Sequence, residues 1–318
     1  MSEILSNLLF SLEVVLPLFI MMALGFFLKK KAFISDAFAV EANRLLYYVV
    51  MPAKLAYDLW LVDLSGGFPL DLGIIIIIGI IGTALVAIPL AKAIGLNRES
   101  AGTFAHAAYR GNYIFFGFPL LESITGHIHP MAQFVIIFTL VLYNIIAVMM
   151  LQWANGEVDV RYGIQSTVRQ LLTNPFILGI LIGVILNVTN LPAPTFVRTT
   201  LGFFSQLATP LALIAIGASF SFSKSQEYRL PGFAVSALKL VISPLIMVLA
   251  AALLGYRGET LVIMYVIFGV PTAISSYAMV ESMAGDTDLA ASSIFYTTVF
   301  SIITTTLFIF AFRQLGVL

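Results

Sequence analysis

Long apolar segments recur along the whole chain and are separated by short polar ones. Each segment is near 20 residues, and at about 1.5 Å of rise per residue a helix of that length crosses a hydrocarbon core of ~30 Å. The alternation over about ten residues that a membrane β-barrel needs is absent. The pattern predicts an all-α membrane protein with ten transmembrane helices, at residues 8–28, 38–59, 72–94, 102–123, 131–153, 173–188, 196–220, 230–254, 261–283 and 289–312.

Composition agrees with lipid as the main solvent of the chain. Hydrophobic residues make up 60% of the 318, charged residues only 10%, and the mean hydropathy is +1.02. Sixteen basic residues balance sixteen acidic ones, so no nucleic acid is expected as a partner. The chain has no cysteine, which excludes disulfides and thiolate chemistry. We expect the lipid bilayer as surroundings, no cofactor and no metal site, and a homodimer is left open.

The distribution of charge predicts how the chain is oriented. When alternate loops are assigned to the two sides, one side holds only Arg198, Arg257 and Arg313. The positive-inside rule makes the other side cytoplasmic. The sequence therefore predicts a multi-pass protein of the cell (inner or plasma) membrane, with both termini non-cytoplasmic. The cytoplasmic set is Lys29, Lys30, Lys31, Lys92, Arg98, Arg161, Arg169, Lys224 and Arg229, and the external acids include Asp58, Asp63 and Asp71.

The two halves of the chain share one pattern. Three pairs of residues stand 158 positions apart, namely Pro17 with Pro175, Gly25 with Gly183, and Pro52 with Pro210. Glu122 and Glu281, near the ends of the fourth and ninth spans, are 159 apart. Five spans is an odd number, so two such copies cross the membrane in opposite senses. We therefore predict two inverted repeats, residues 1–156 and 157–318, an arrangement typical of secondary transporters.

The fourth and ninth spans contain residues that interrupt a helix. Residues 108–119 place an arginine, two glycines, an asparagine and a proline at membrane depth, and Gly269, Pro271 and Thr272 stand at nearly the equivalent place in the ninth span. Proline removes a backbone donor, and broken helices persist in membranes only where protein or a water-filled cavity surrounds them. We expect the two breaks to form one cavity, into which helix N-termini near Asn112 and Thr272 aim free N–H groups that favour an anion.

These arguments give a set of candidate residues for binding a small organic anion. Intramembrane charges are costly and so are functional candidates, although Arg110 also fits a structural ion pair, and Lys239 fits a role in capping the carbonyls of a broken helix. His106 also fits a satisfied core histidine, and Asp58 an i, i+4 pair with Lys54. The substrate-binding candidates are Arg110, Gly111, Asn112, Tyr113, Pro271, Thr272 and Ser275; the helix-break candidates are Gly117, Pro119 and Gly269; and the candidates for coupling or charge balance are Asp58, Lys239 and His106.

The chain resembles the auxin efflux carrier family, in particular its bacterial branch, which is linked to the transport of small carboxylates such as malate or malonate. The resemblance covers nearly the whole chain. It rests on Gly111-Asn112 followed by Gly117-Phe118-Pro119, on residues 207–220 with Pro210 and Gly217, on Lys239-Leu240 ahead of Pro244, and on Pro271-Thr272 through Glu281.

This resemblance implies a fold of ten helices in two repeats, in which the interrupted fourth and ninth helices cross at mid-membrane. It also implies a transport domain that slides like an elevator against a scaffold domain, each drawn from both repeats. It also implies that Asn112 and the break at Pro271 border a substrate carboxylate. The chain departs from plant members in two ways: Gly111 stands where they carry a proline and is preceded by Arg110, and their long cytoplasmic loop is absent.

Other classes of protein remain as alternatives. Tyr57-Asp58 and Gly285-Asp286 faintly echo an intramembrane aspartyl protease, but Met283 stands where a glycine is needed, so we do not expect an enzyme. A sodium-coupled symporter of the bile-acid type shares the broken-helix design, and Asn144, Ser275 and Ser276 would be its few oxygen ligands. A ligand sensor on the same scaffold would bind without net flux. Coupling to protons or to sodium stays open.

Overall fold

The computed structural model describes residues 3–61, 69–155, 169, 172–190, 192, 194–219 and 227–318. Several sequence predictions fall outside these residues. They are the boundary between the two repeats at residues 156 and 157, the loop charges Asp63, Arg161 and Lys224, and the end of the seventh span at Phe220.

The described chain is helical, and helices lie at each of the ten predicted places. No strand occurs in the described residues, where the β-structure is one isolated bridge. The α-helices are α1 (Glu3–Lys30), α2 (Asp36–Leu45), α3 (Met51–Leu61), α4 (Leu70–Ala93), α5 (Arg98–Tyr109), α6 (Phe118–Thr125), α7 (Pro130–Asn155), α8 (Pro175–Val188), α9 (Thr195–Ala218), α10 (Arg229–Ala237), α11 (Ser243–Leu253), α12 (Glu259–Gly269), α13 (Ser275–Ser282) and α14 (Thr287–Gln314).

Five helical stretches in the described residues are long and apolar enough to cross a membrane by length and composition alone. They are α1, α4, α9, α14 and the stretch Arg229–Leu253, which joins α10 to α11. The fourth and ninth spans fall short of that length because each is divided into two helices. The structure therefore establishes a multi-helix membrane protein, and the number of crossings stays a prediction.

Polarity is distributed as expected for a protein in lipid. Large apolar side chains such as Ile20, Ile78 and Ile303 are exposed on the long helices. Many hydroxyl side chains are buried instead, and many of these bond to another hydroxyl or to a carbonyl one turn earlier. Thr83 of α4, for example, lies 2.9 Å from Ser243 of α11. The apolar exterior is unlike that of a soluble fold, while the buried core remains mainly apolar.

Three spans contain a single π-helical turn, and each turn ends two residues before a proline. The turns are Leu46–Val50 before Pro52, Tyr113–Gly117 before Pro119, and Leu238–Ile242 before Pro244. A proline in an α-helix lacks an N–H and clashes with the carbonyl four residues earlier. The wider π-turn removes that conflict, so the helix continues past the proline.

The helices pack in two groups. In the first group α3 packs against α8, and α1 and α3 both pack against α9. In the second group α5 packs against α4, α7 and α14, while α11 packs against α4 and α12. Helix α1 joins the groups through α14 and α6. Each group contains helices from both halves of the sequence.

Glycines set the distance between helices in the first group. A Cβ at Gly217 of α9 would collide with the Met22 carbonyl of α1, and a Cβ at Gly25 would collide with the Ile214 carbonyl. Helices α3 and α8 also approach closely, because a Cβ at Gly183 of α8 would lie 2.7 Å from the Ala56 carbonyl oxygen of α3. Backbones this close favour small residues, as is usual between membrane helices.

We expect Gly217→Ala to destabilise the protein by about 1–3 kcal/mol, because the added methyl must push α1 and α9 apart. Gly82→Ala is the matched control, since Gly82 also lies within a helix but nothing is within 4 Å of its added Cβ. That change should be neutral or stabilise by up to ~1 kcal/mol. Thermal unfolding in one detergent measures both, and equal midpoints for the two variants would contradict the close approach.

Candidate functional site

The fourth and ninth spans are each interrupted. Helix α5 ends at Tyr109, and Arg110 and Asn112 have non-helical backbone before the π-turn that leads into α6. Helix α12 ends at Gly269, and the extended Val270 begins the segment that precedes α13. The two unwound segments are Arg110–Asn112 and 270–274, and together they are called the break here.

The two segments pair with each other. Gly111 and Thr272 form an antiparallel bridge. The Asn112 N–H donates to the Pro271 carbonyl at 2.7 Å, and the Ala273 N–H donates to the Arg110 carbonyl at 3.1 Å. Each break therefore satisfies backbone groups of the other, which lipid could not do.

The N–H groups of Asn112 and Thr272 themselves are not free, although the sequence predicts free N–H groups near these two residues. Asn112 bonds to Pro271, and the Thr272 N–H donates to Thr297 Oγ1 at 3.1 Å. Pairing of the breaks and the approach of α14 use these donors. Among the described residues near the breaks, N–H groups for which no hydrogen bond is seen include those of Tyr113, Ile114 and Phe115 before α6, and those of Ile274 and Ser275 at α13.

Asn112 keeps its side chain available. Its backbone carbonyl accepts from Phe116 and Gly117 and so starts the π-turn. The side chain is buried, and its carboxamide has no hydrogen-bond partner among the described residues. A carboxamide offers both a donor and an acceptor to a ligand.

Arg110 is a buried cation at the end of α5, with 9% of its surface exposed. One guanidinium nitrogen donates to Asn144 Oδ1 of α7 at 3.3 Å and contacts the Met279 sulfur at 3.7 Å. Both partners are neutral. The described residues include no carboxylate within ion-pair distance of Arg110.

Lys239 is a second buried cation on the same break. It lies in the π-turn between α10 and α11, is 1% exposed, and donates from Nζ to the Tyr109 carbonyl at 3.2 Å. A Cβ added at Gly111 would lie 3.0 Å from Nζ. Lys239 therefore caps a carbonyl at the end of α5, and it too has no carboxylate partner in the described residues.

Thr272 fixes the break from the other side. Its Oγ1 donates to the Ala107 carbonyl at 2.9 Å, so a second terminal carbonyl of α5 is satisfied. Thr297 of α14, which accepts from the Thr272 N–H, itself donates to the Ser293 carbonyl at 2.7 Å. These bonds leave no free hydrogen on the Thr272 hydroxyl, so its role in this conformation is to position the break.

The remaining binding candidates differ in what they offer. The Tyr113 hydroxyl donates to the Ala132 carbonyl of α7 at 2.6 Å, so it anchors the π-turn. Pro271 contributes the carbonyl that Asn112 uses. Ser275 is exposed, whereas the neighbouring Ser276 is buried and its Oγ has no partner among the described residues.

The helix-break candidates lie at different places. Gly269 is the last residue of α12, where the second break begins. Gly117 and Pro119 lie beyond the first break, in the π-turn and in the first turn of α6. The sequence reasoning assigned the proline to the break because it did not allow for a π-turn that lets a helix pass a proline.

His106 does not fit the satisfied core histidine that sequence reasoning considered. It is fully buried on α5, with its ring centroid 5.6 Å from that of Tyr109. Neither ring nitrogen has a hydrogen-bond partner among the described residues. No contact in the structure explains these two orphan nitrogens.

Asp58 lies outside the break. It pairs with Lys54 at 3.4 Å, as the i, i+4 spacing indicated, but Lys54 is buried and also bonds to Glu122. Asp286, the other aspartate of the protease alternative, caps the N-terminus of α14 and accepts from Ser100 at 2.6 Å. The two aspartates share no partner in the described structure, so they do not form a catalytic dyad.

Two residues of α7 and one of α14 lie at the break although no pattern in the sequence places them there. Asn144 was considered only as a sodium ligand, yet it accepts from Arg110. The Tyr143 hydroxyl faces the backbone of Gly111. Thr297 has no sequence signal beyond being a polar residue in an apolar span. Among the described residues, no three His, Asp or Glu side chains converge to hold a metal ion.

Comparison with known proteins identifies the family. A family described as "Membrane transport protein" matches residues 10–309. An uncharacterised transporter of Methanothermobacter thermautotrophicus is 28% identical over 296 residues, covering 92% of this chain and 95% of the relative. An uncharacterised transporter of Methanocaldococcus jannaschii is 24% identical over 307 residues, covering 92% and 96%. These relatives indicate a membrane transporter rather than an enzyme, and the chain belongs to the auxin efflux carrier-type family of membrane transport proteins.

Proposed function

We propose that the protein is a secondary active transporter that carries a small organic anion, a carboxylate, by elevator-type alternating access. The observation that carries the proposal is the pair of buried cations at the break. Arg110 and Lys239 have only neutral partners in the described structure. An unpaired buried charge is costly, so a bound anion would be stabilised there.

The groups around these cations suit a carboxylate. The free carboxamide of Asn112 and the unpaired N–H groups of Tyr113, Ile114 and Phe115 are hydrogen-bond donors next to the break. Donors at a helix start favour negative charge. Arg110 can in addition donate two parallel bonds to one carboxylate.

Packing supports the inverted repeat. Gly25 approaches Ile214, and Gly183 approaches Ala56. Gly183 stands 158 positions after Gly25, and Ala56 stands 158 positions before Ile214. The contact between Gly25 and Ile214 therefore corresponds to the contact between Gly183 and Ala56 when the two halves are exchanged. Asn112 and Pro271, which are 159 apart, bond to each other, as expected near an axis that relates the halves.

An elevator needs two bodies, and the packing supports that division. Helices α1, α3, α8 and α9 form one group, which would be the scaffold. The break lies with α5, α7, α12 and α14 in the other group, which would be the transport domain. Both groups contain helices from the two halves of the chain.

Two alternatives stay open. Sodium coupling needs several convergent oxygens. Among the buried hydroxyls near the break, those of Ser276 and Tyr143 lack a hydrogen-bond partner in the described structure, whereas Asn144 Oδ1 is used by Arg110. A non-transporting sensor would bind the anion without flux. Flux of acetate, malonate and succinate into proteoliposomes, measured with and without pH and sodium gradients, distinguishes the proposed carrier from the sodium-coupled symporter and from the sensor.

Replacing Arg110 or Asn112 with alanine should lower the apparent affinity for the carried carboxylate roughly ten- to hundred-fold, because charge-assisted hydrogen bonds are each worth about 1.5–3 kcal/mol. Lys239→Met should act in the same direction. Arg257→Gln is the matched control, since Arg257 also donates to carbonyls but is exposed. Full transport by both alanine variants in proteoliposomes would remove the site assignment.

Joining the two helix groups should stop transport. The Ser123 hydroxyl of α6 donates to the Val14 carbonyl of α1 at 2.9 Å, so cysteines at these positions can be joined by a short bis-maleimide, and the chain has no cysteine of its own. The control pair is Trp60→Cys with Asn187→Cys, within the first group, where Asn187 donates to the Trp60 carbonyl. We expect carboxylate flux to stop only for the first pair; unimpeded flux there would count against alternating access.

A further inference from the structure

A tryptophan with two cations beside it lies where α4, α5 and α7 meet. The Lys92 ammonium, in the last turn of α4, is 5.8 Å from the centroid of the Trp153 ring. The guanidinium carbon of Arg98, at the start of α5, is 5.0 Å from the same centroid. Trp153 stands near the end of α7, which packs against α4 and α5. These three residues are called the Trp153 cluster.

The two cations of the cluster have no acidic partner among the described residues. Lys92 and Arg98 are exposed, and their side chains form no ion pair or hydrogen bond there. Glu99, the next residue of α5, is also exposed and pairs with neither of them. Asp286 accepts a hydrogen bond from Ser100 in the same turn of α5 and caps the N-terminus of α14. Two like charges held beside one ring repel each other, so the arrangement favours a bound anion.

The surface that leads to the cluster is apolar and suits an acyl chain. Leu85 stands seven positions before Lys92, which is about two helical turns, so both lie on the same face of α4. Met149 lies one turn before Trp153 on α7. Leu85 has 56% of its surface exposed and Met149 has 54%. A charged end that continues into an exposed apolar strip matches a phospholipid rather than a soluble anion.

The place of the cluster along the spans agrees with a lipid headgroup. The third predicted span ends at residue 94, the fourth begins at residue 102 and the fifth ends at residue 153, so the three side chains stand at one end of the spans. Tryptophan is enriched where a bilayer meets water. The distribution of charge predicts that this end is cytoplasmic, and the anionic lipids of that leaflet attract lysine and arginine.

We propose that the Trp153 cluster binds the phosphate of an anionic phospholipid, with an acyl chain along Leu85 and Met149. Arg98 can donate two parallel hydrogen bonds to phosphate oxygens, and Lys92 supplies a second positive charge. The indole N–H has no partner among the described residues and is a further donor. The cluster shares no residue with the break, so the inference does not depend on the proposed function.

The test uses Trp153 as its own reporter. The chain has two tryptophans, and Trp60→Phe leaves Trp153 as the only one while keeping the backbone carbonyl that Asn187 bonds. The full chain is reconstituted in bilayers of phosphatidylcholine with a small fraction of phosphatidylglycerol, and one lipid or the other carries bromine on its acyl chains. Brominated lipid quenches the fluorescence of a tryptophan that it contacts, so the two mixtures give the relative affinity of the two lipids at Trp153.

We expect phosphatidylglycerol to be favoured at Trp153 roughly five- to thirty-fold, as for one or two basic residues near a charged surface. Lys92→Gln and Arg98→Gln should each lower this preference about fivefold, and the double variant should remove it. Arg98→Lys should keep most of it, because the charge remains. Equal quenching by the two lipids in the Trp60→Phe protein, or an unchanged preference in the double variant, would overturn the proposal.

Arg313→Gln is the matched control for net charge. The guanidinium carbon of Arg313 also lies over a ring, 4.3 Å from the Phe10 centroid, but near the C-terminal end of α14, which is predicted to be external. This change removes one positive charge, as Lys92→Gln does, and should leave the preference intact. An equal loss in the two variants would mean that net charge attracts the lipid, and the cluster would then not be a site.

Soluble anions are tested in the same bilayers. Inorganic phosphate and glycerol 3-phosphate in large excess should not displace brominated phosphatidylglycerol from Trp153, because neither has an acyl chain. Displacement by either would overturn a lipid as the ligand. The measurement needs no transported substrate, so its result is the same whether or not acetate, malonate or succinate moves, and failure of this inference is distinguishable from failure of the proposed function.

Discussion

The need to satisfy backbone polar groups away from water governs the arrangement of this protein. Two spans lose their helical bonding in their interior, and each unwound segment supplies what the other lacks: Asn112 bonds to Pro271, and Ala273 bonds to Arg110. The carbonyls left at the end of α5 are satisfied by Lys239 and Thr272. Because lipid offers no hydrogen bonds, the two breaks are stable only together.

This pairing leaves charge unbalanced in two places. The break contains Arg110 and is bordered by Lys239, and both have neutral partners, whereas Lys54 of α3 lies between the two acids Asp58 and Glu122. Structural ion pairs alone would favour bringing acids to the unpaired cations, because uncompensated buried charges are costly. The excess of positive charge at the break is what the carrier of an anion needs, because a bound anion then supplies the missing countercharge.

Much of the fold could be predicted from the sequence, because lipid makes hydrophobic length a strong signal. The helices begin and end within a few residues of the predicted spans, as Leu70–Ala93 against 72–94 illustrates. The π-turns could not be predicted, since a proline looks the same whether it ends a helix or follows a widened turn. Pro119 was therefore assigned to a break that lies at Arg110–Asn112.

The candidate site was predictable only where charge or helix-breaking residues stand out in an apolar span, as at Arg110 and Asn112. Partners such as Asn144 and Thr297 are polar residues on other helices, and sequence spacing says nothing about which helix they face. For the same reason, the sequence does not show that Glu122 and Glu281 have different contacts. The two stand at equivalent places in the repeat, yet only Glu122 meets a lysine, because Lys54 of α3 has no lysine counterpart at position 212, where α9 carries an alanine. The two halves of the protein, although similar in pattern, therefore differ in what this pair of glutamates contacts among the described residues.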